Sequence, residues 1–157
     1  MNCRFVLCLC VLLVCTTVDA APSGVEILKE TDIQGGLIVH LGCGDGTLTA
    51  ELRADEKYIV QGLDGSAAQV EIARDYIRSL DLYGVVSINH FDGERLPYVD
   101  NLVNLIVVED QGQVSMEEIM RVLAPLGAAY FKQDASASYI DAIQPSTVMR
   151  PRTSAQQ

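Results

Sequence analysis

The stretch Leu37-Ile38-Val39-His40-Leu41-Gly42-Cys43-Gly44-Asp45-Gly46-Thr47-Leu48 constrains the fold more than any other. An apolar run of strand length breaks into three glycines at alternate positions, and helix-compatible residues follow. Strands buried on both faces of a parallel sheet read as such runs. Glycine turns stand where backbone must bend sharply or approach a ligand. A strand, a glycine turn and a helix start together form a nucleotide-binding corner.

The downstream patterns fit that corner. Val25 to Ile33 reads as a short lead-in helix, ended by Gly35-Gly36, and Leu37 to Leu41 is the first strand. Thr47 to Arg53 is a short helix with Leu48 and Leu52 on one face. Tyr58 to Leu63 is a second strand ending at Asp64. Ser66 to Leu80 is the clearest helix: Ser66 and Gln69 match a capping box, and Ala67, Val70, Ala73, Ile77 and Leu80 trace one stripe. Val85 to Asn89 is a third strand, Phe91 to Asn101 a loop, and Leu102 to Val108 a fourth strand ending at Glu109-Asp110. Ser115 to Leu123 is a helix with a Ser115/Glu118 capping box, broken by Ala124-Pro125-Leu126-Gly127 ahead of a fifth strand, Ala128 to Lys132. Strands alternating with helices predict an α/β fold, a parallel sheet with helices on both faces. From Gln133 the chain is Ser/Ala/Gln/Thr-rich, with Pro145 and Pro151. It reads as a polar linker or tail in which Tyr139, Ile140 and Ile143 offer one helical turn.

The N-terminus has a separate logic. A short basic start is followed by the apolar run Phe5 to Val18, and Val18-Asp19-Ala20 suits cleavage after Ala20. This is the anatomy of a secretory signal peptide, too short for a comfortable membrane span. The expected division is residues 1–20 as leader, 25–132 as the domain and 133–157 as tail, with a secreted or periplasmic location. A mis-called start codon would instead leave a cytoplasmic protein. Cys3, Cys8, Cys10 and Cys15 leave with the leader, so Cys43 alone remains. It reads either as a reactive thiol or as a small residue tolerated in a tight turn. The net charge of −10 and the lack of any Lys/Arg cluster weigh against nucleic acid as a partner.

The glycine spacing is Gly42-x-Gly44-x-Gly46, and Thr47 occupies the third-glycine place of a dinucleotide fingerprint. That disfavours NAD and FAD. Val39 to Gly46 resembles motif I of class I S-adenosylmethionine-dependent methyltransferases. The resemblance continues in order through Gly62-Leu63-Asp64, Phe91-Asp92-Gly93-Glu94-Arg95-Leu96-Pro97-Tyr98, Leu102 to Asp110, and Met120-Arg121-Val122-Leu123-Ala124-Pro125-Leu126-Gly127. It spans roughly Gly35 to Lys132. The wording also resembles the methyltransferase-like segment ahead of a quinoprotein-type β-propeller in exported bacterial proteins, which implies association with a propeller.

The resemblance implies a Rossmann-like sheet of about five strands, short of the family's seven, and S-adenosylmethionine as cofactor. It implies a cofactor site at Gly42, Cys43, Gly44, Asp45, Gly46, Asp64, Asp92, Gly93 and Glu109. Gly42 and Gly44 would let backbone approach the methionine part and ribose. Asp64 would accept both ribose hydroxyls or simply cap the helix at Ser66. Asp92 would accept from the adenine amino group or form a plain Asp-Gly turn. Glu109 and Asp110 would face the methyl group or be solvated strand-end charges. Two positions depart from the family. His40 stands where it places Asp or Glu, and Asn104 where it often has Asp. His40 reads as a structural residue or a general base. No catalytic residue and no metal ligand is assigned. The implied function is methyl transfer to a small molecule or protein, with a non-catalytic exported interaction or spacer module as the alternative.

Overall fold

The computed structural model describes residues 22–132 and 146–151. The leader and the Tyr139–Ile143 turn lie outside them. The elements are α1 (Gly24–Thr31), β1 (Gly36–Leu41), α2 (Thr47–Glu51), β2 (Tyr58–Asp64), α3 (Ala67–Ser79), β3 (Val86–His90), β4 (Val103–Val108), α4 (Met116–Val122), β5 (Leu123–Lys132) and β6 (Ser146–Met149). Strand order is β3-β2-β1-β4-β5-β6, parallel from β3 through β5, with β6 antiparallel to β5.

Two apolar layers cover the sheet. One holds Ile38, Val60, Leu105 and Tyr130 against α1 and α3, through Ile27, Val70, Ala73 and Ile77. The other holds Val39, Leu41, Ile106 and Ala129 against Ile119 and Val122 of α4. Both faces of β1 and β4 are therefore buried, which accounts for their unbroken apolar runs. Between β4 and β5 the register shifts, Val103 pairing with Leu123 and Leu105 with Ala128, so the extra residues lie in β5; Val103 and Leu105 fall in opposite layers. Asn104 sits at this shift, and its Oδ1 accepts from Leu37 N at 3.0 Å. The position the family often fills with Asp thus clamps β4 to the start of β1.

Local signals set the helix starts. Ser66 Oγ accepts from Gln69 N, but Ser66 N donates to Asp64 Oδ1 at 2.8 Å, so the reciprocal half of that box is not formed. Ser115 Oγ likewise accepts from Glu118 N, while the Glu118 carboxylate accepts from Leu96 N and pairs with Arg121. The expected second box is instead a tether for the loop before β4. A complete box does form at Ser23 and Glu26, which the sequence reading did not assign.

The sixth strand is the main difference from the five expected. Ser146–Met149 falls in the stretch read as polar tail, and it pairs through main chain with Ala129 to Lys132. Four residues between two prolines carry too little alternation to signal a strand; an edge with free main-chain groups accepts one anyway. Arg150 fastens this end, donating to Leu126 O at 3.1 Å and to Thr31 O at 2.5 Å.

Ile106 is fully buried at mid-sheet, whereas Ile59 is 58% exposed. Ile106→Ala is expected to cost about 2–5 kcal/mol in urea unfolding. Ile59→Ala should stay within about 0.5 kcal/mol.

Candidate functional site

The order of strands reverses between β1 and β4, since β1 leads outward to β2 and the chain returns through β4 on the other side. Ligands of open α/β sheets bind beyond the carboxyl ends of strands at such a point. There the turn after β1 takes φ of +77° at Gly42, +52° at Gly44 and +84° at Gly46. These glycines are needed for different reasons. A Cβ on Gly42 would lie 2.4 Å from Asp110 N, so the turns after β1 and β4 touch main chain to main chain. A Cβ on Gly44 would meet nothing within 4 Å, leaving its conformation as the requirement. A Cβ on Gly46 would come 3.0 Å from the Ala73 methyl, where the turn packs on α3.

Two hollows flank this turn. The first, about 180 Å³, is lined by Leu41, Gly42, Leu63, Asp64, Gly65, Phe91, Asp92, Gly93 and residues 110–114. Asp64 and Asp92 therefore share one cavity, joined by Asp110. Asp64 Oδ2 accepts from Gly44 N at 2.9 Å and Oδ1 from Ser66 N. The helix-cap role and the turn-binding role coexist in one carboxylate, and each oxygen keeps a second acceptor site. Across the cavity, Gln113 Nε2 donates to Asp92 O at 3.4 Å, bringing the loops after β3 and β4 together.

The second hollow, about 280 Å³, is lined by Pro22, Ser23, Cys43, Gly44, Asp45, Thr47, Leu48, Glu51, Glu109 and Lys132. Glu109 and Asp110, consecutive in sequence, thus serve different hollows. Glu109 Oε1 accepts from Lys132 Nζ at 2.5 Å. Asp45 faces this side too, with Oδ1 accepting from Thr47 N at 2.9 Å. That bond holds its carboxyl below the usual range.

Of the expected cofactor residues, Gly42, Asp64, Asp92 and Gly93 line the first hollow, and Cys43, Gly44, Asp45 and Glu109 line the second. Gly46 lines neither; it is a packing residue. Cys43 is 2% exposed, and burial together with Asp64 pushes its thiol up to about 12. It stays protonated, so the tolerated-small-residue reading holds. Gly62 makes room for it: a Cβ there would lie 3.0 Å from the Cys43 sulfur.

His40 is fully buried, with Nδ1 2.8 Å from Thr49 Oγ1. Burial, and secondarily the charge of Lys132, depress its pKa to about 3. This fits the structural reading of His40, and so inaccessible and weak a base is unsuited to proton abstraction. Its Nε2 has no hydrogen-bond partner.

Sequence reasoning left out Phe91, Gln111, Gln113 and Val114, and it placed Asp110 beside the methyl group with Glu109 rather than with Asp64 and Asp92, whose hollow it lines. Lys132 was likewise not assigned, although the register pairing Val108 with Phe131 places it beside Glu109. That neighbourhood follows from parallel pairing of the fourth and fifth strands.

Methyltransferase domain is the description of the family model that matches residues 38–127. The chain belongs to this methyltransferase family. Methyltransferase GfsG of Streptomyces halstedii is 34% identical over 110 residues, covering 65% of this chain and 39% of that protein. A Methanococcus maripaludis structure described as an S-adenosyl-L-methionine-dependent methyltransferase superposes with a TM-score of 0.62 at 26% identity, over 69% of this chain and 52% of that one. The [4+2]-cyclase SpnF superposes at 0.61 with 28% identity, over 71% and 45%. The chain spans about half or less of the length of these relatives. A cyclase beside methyltransferases on one fold means that activity must be argued from the site.

Two outcomes test this geometry. Gly42→Ala is expected to lower stability by more than about 2 kcal/mol, through both contact and conformation, and Gly44→Ala by about 1–2 kcal/mol from conformation alone; thermal unfolding reads the difference. His40 binds its proton more weakly folded than unfolded, so it adds stability above pH 6.5 that is lost as pH falls toward about 3. The Tm of His40→Gln should therefore fall less than that of the native protein between those limits.

Proposed function

We propose that the first hollow binds S-adenosylmethionine and that the chain transfers its methyl group to an acceptor. The carrying observation is the convergence of Asp64, Asp92 and Asp110 on one cavity above a glycine turn, with no Lys or Arg among the lining residues. Such a cavity favours a ligand bearing cationic centres and repels a pyrophosphate. This supports the methyltransferase reading over both a dinucleotide enzyme and a spacer module, which has no need of gathered carboxylates.

The chain's own groups divide the work. The free acceptor sites of Asp64 suit vicinal ribose hydroxyls, and Asp92, on the same cavity, would accept from an adenine amino group. Gly42, without a side chain, lines this cavity with main chain. Phe91 and Val114 give the cavity its apolar walls. When bound, S-adenosylmethionine supplies an electrophilic methyl on a sulfonium that leaves as a neutral thioether. Holding that centre in line with the acceptor is the main catalytic task, and orientation of this kind needs few reactive side chains. A base is required only where the acceptor must lose a proton.

The acceptor is a small molecule or a protein. Export and a propeller partner are proposals carried by residues 1–20 and the sequence wording. No helix among the described residues is long and apolar enough to cross a membrane.

Isothermal calorimetry with S-adenosylhomocysteine tests the proposal. Binding is expected, weakened roughly 10–100-fold by Asp64→Asn, the loss typical of a charged hydrogen-bond acceptor. No heat from the folded protein at millimolar S-adenosylmethionine or S-adenosylhomocysteine would overturn it.

A further inference from the structure

We propose that Glu118 and Arg121 of α4, which line neither hollow, set the width of the first and make it selective for adenine over a purine that lacks the exocyclic amino group. The inference rests on the methyltransferase reading and concerns two residues to which that reading gives no part.

The chain passes from β3, at the sheet edge, across β2 and β1 to β4 with no helix between. The intervening loop lies on the layer that α4 covers: Leu96 is buried in it, and Phe91 and Tyr98 pack against it. α4 is the only described helix that contributes to that layer. The part of the loop that lines the hollow is held mainly at its ends. Phe91 N donates to Asp64 O at 2.9 Å, and Leu96 N donates to Glu118 Oε1 at 2.8 Å. Between these anchors, among the described residues, positions 92–95 make one hydrogen bond, from Gln113 Nε2 to Asp92 O at 3.4 Å. Asp92 therefore stands where the anchors put it.

The anchor on α4 is a fork. Arg121 Nη2 donates to Tyr98 O at 3.0 Å and to Leu96 O at 3.4 Å, Nε and Nη2 donate to the Glu118 carboxylate at 2.8 and 2.6 Å, and Nη1 donates to Asp100. A planar guanidinium fixes these directions together, which an ammonium cannot do. The Arg121 side chain is 20% exposed and that of Glu118 13%, so water and salt screen the pair only weakly. The Tyr98 hydroxyl is buried without a partner, so main-chain bonds rather than that hydroxyl decide where the loop lies. The same helix carries another wall of the hollow: Gln113 and Val114, just ahead of its N-cap Ser115, line it together with Phe91, Asp92 and Gly93. The Glu118–Arg121 pair thus sets the separation of the two walls. A carboxylate accepts a good hydrogen bond only over a range of about half an ångström. A loosened span therefore forfeits the contact that tells adenine from other purines. Glu118 and Arg121 are positioning residues for Asp92.

Calorimetry tests this by comparing S-adenosylhomocysteine with S-inosylhomocysteine, whose base carries an oxo group in place of the amino group. Native protein is expected to bind the first at least about tenfold tighter. Arg121→Met and Asp92→Asn should each shrink that margin to within about threefold, and the double variant should shrink it no further, because both changes act on one contact. Glu118→Gln, the gentler change, falls between, and it decides the matter if Arg121→Met does not fold. Arg150→Met, which removes a fork beside β6 at the opposite edge of the sheet, should lower the Tm and leave the margin intact. Folded α4 variants that weaken both ligands equally, or neither, overturn the inference. So does a native protein that binds both ligands alike, while the methyltransferase reading stands. If neither ligand binds, that reading fails, and the selectivity falls with it.

Discussion

The structure depends on the close approach of two strand ends. Leu41 O accepts from Glu109 N at 2.9 Å and from Asp110 N at 3.3 Å, and Gly42 lies against Asp110 with no room for a side chain. This contact fixes where the turn after β1 stands relative to β4. It also sends two consecutive acidic residues in opposite directions, Asp110 to one side of the turn and Glu109 to the other. Asp64 completes the arrangement by joining the β1 turn to the start of α3.

What was legible in the sequence followed from periodicity and turn chemistry. The apolar runs of β1 and β4 announce strands covered on both faces, and the Val70, Ala73 and Ile77 stripe announces α3; all three of those residues are buried. Asp64 and Asp92 could be placed because one ends β2 and the other lies two residues past β3, so strand order brings both near the turn. Less visible were roles that depend on long-range geometry. Arg121 reaches Tyr98 O at 3.0 Å and pairs with Asp100 and Glu118, pinning the loop ahead of β4. No local pattern marks it. β6 is set by the open edge of β5 rather than by its own four residues.

The first hollow gathers like charges in a protein already carrying −10. Three carboxylates on one small cavity repel one another, a cost to the folded state that a cationic ligand relieves. Residues kept for binding commonly oppose stability in this way. The buried, neutral His40 is a related case, holding a donor with no acceptor where an apolar side chain would fill the space more cheaply.

Cys43 gives this fold an internal chronometer. Its sulfur is sealed against β2 by the missing side chain of Gly62 and is kept in its unreactive form. A thiol-trapping reagent must therefore wait for the glycine turn to lift away from the sheet. The trapping rate at Cys43 measures how often the corner opens, and any ligand that braces the corner slows that clock.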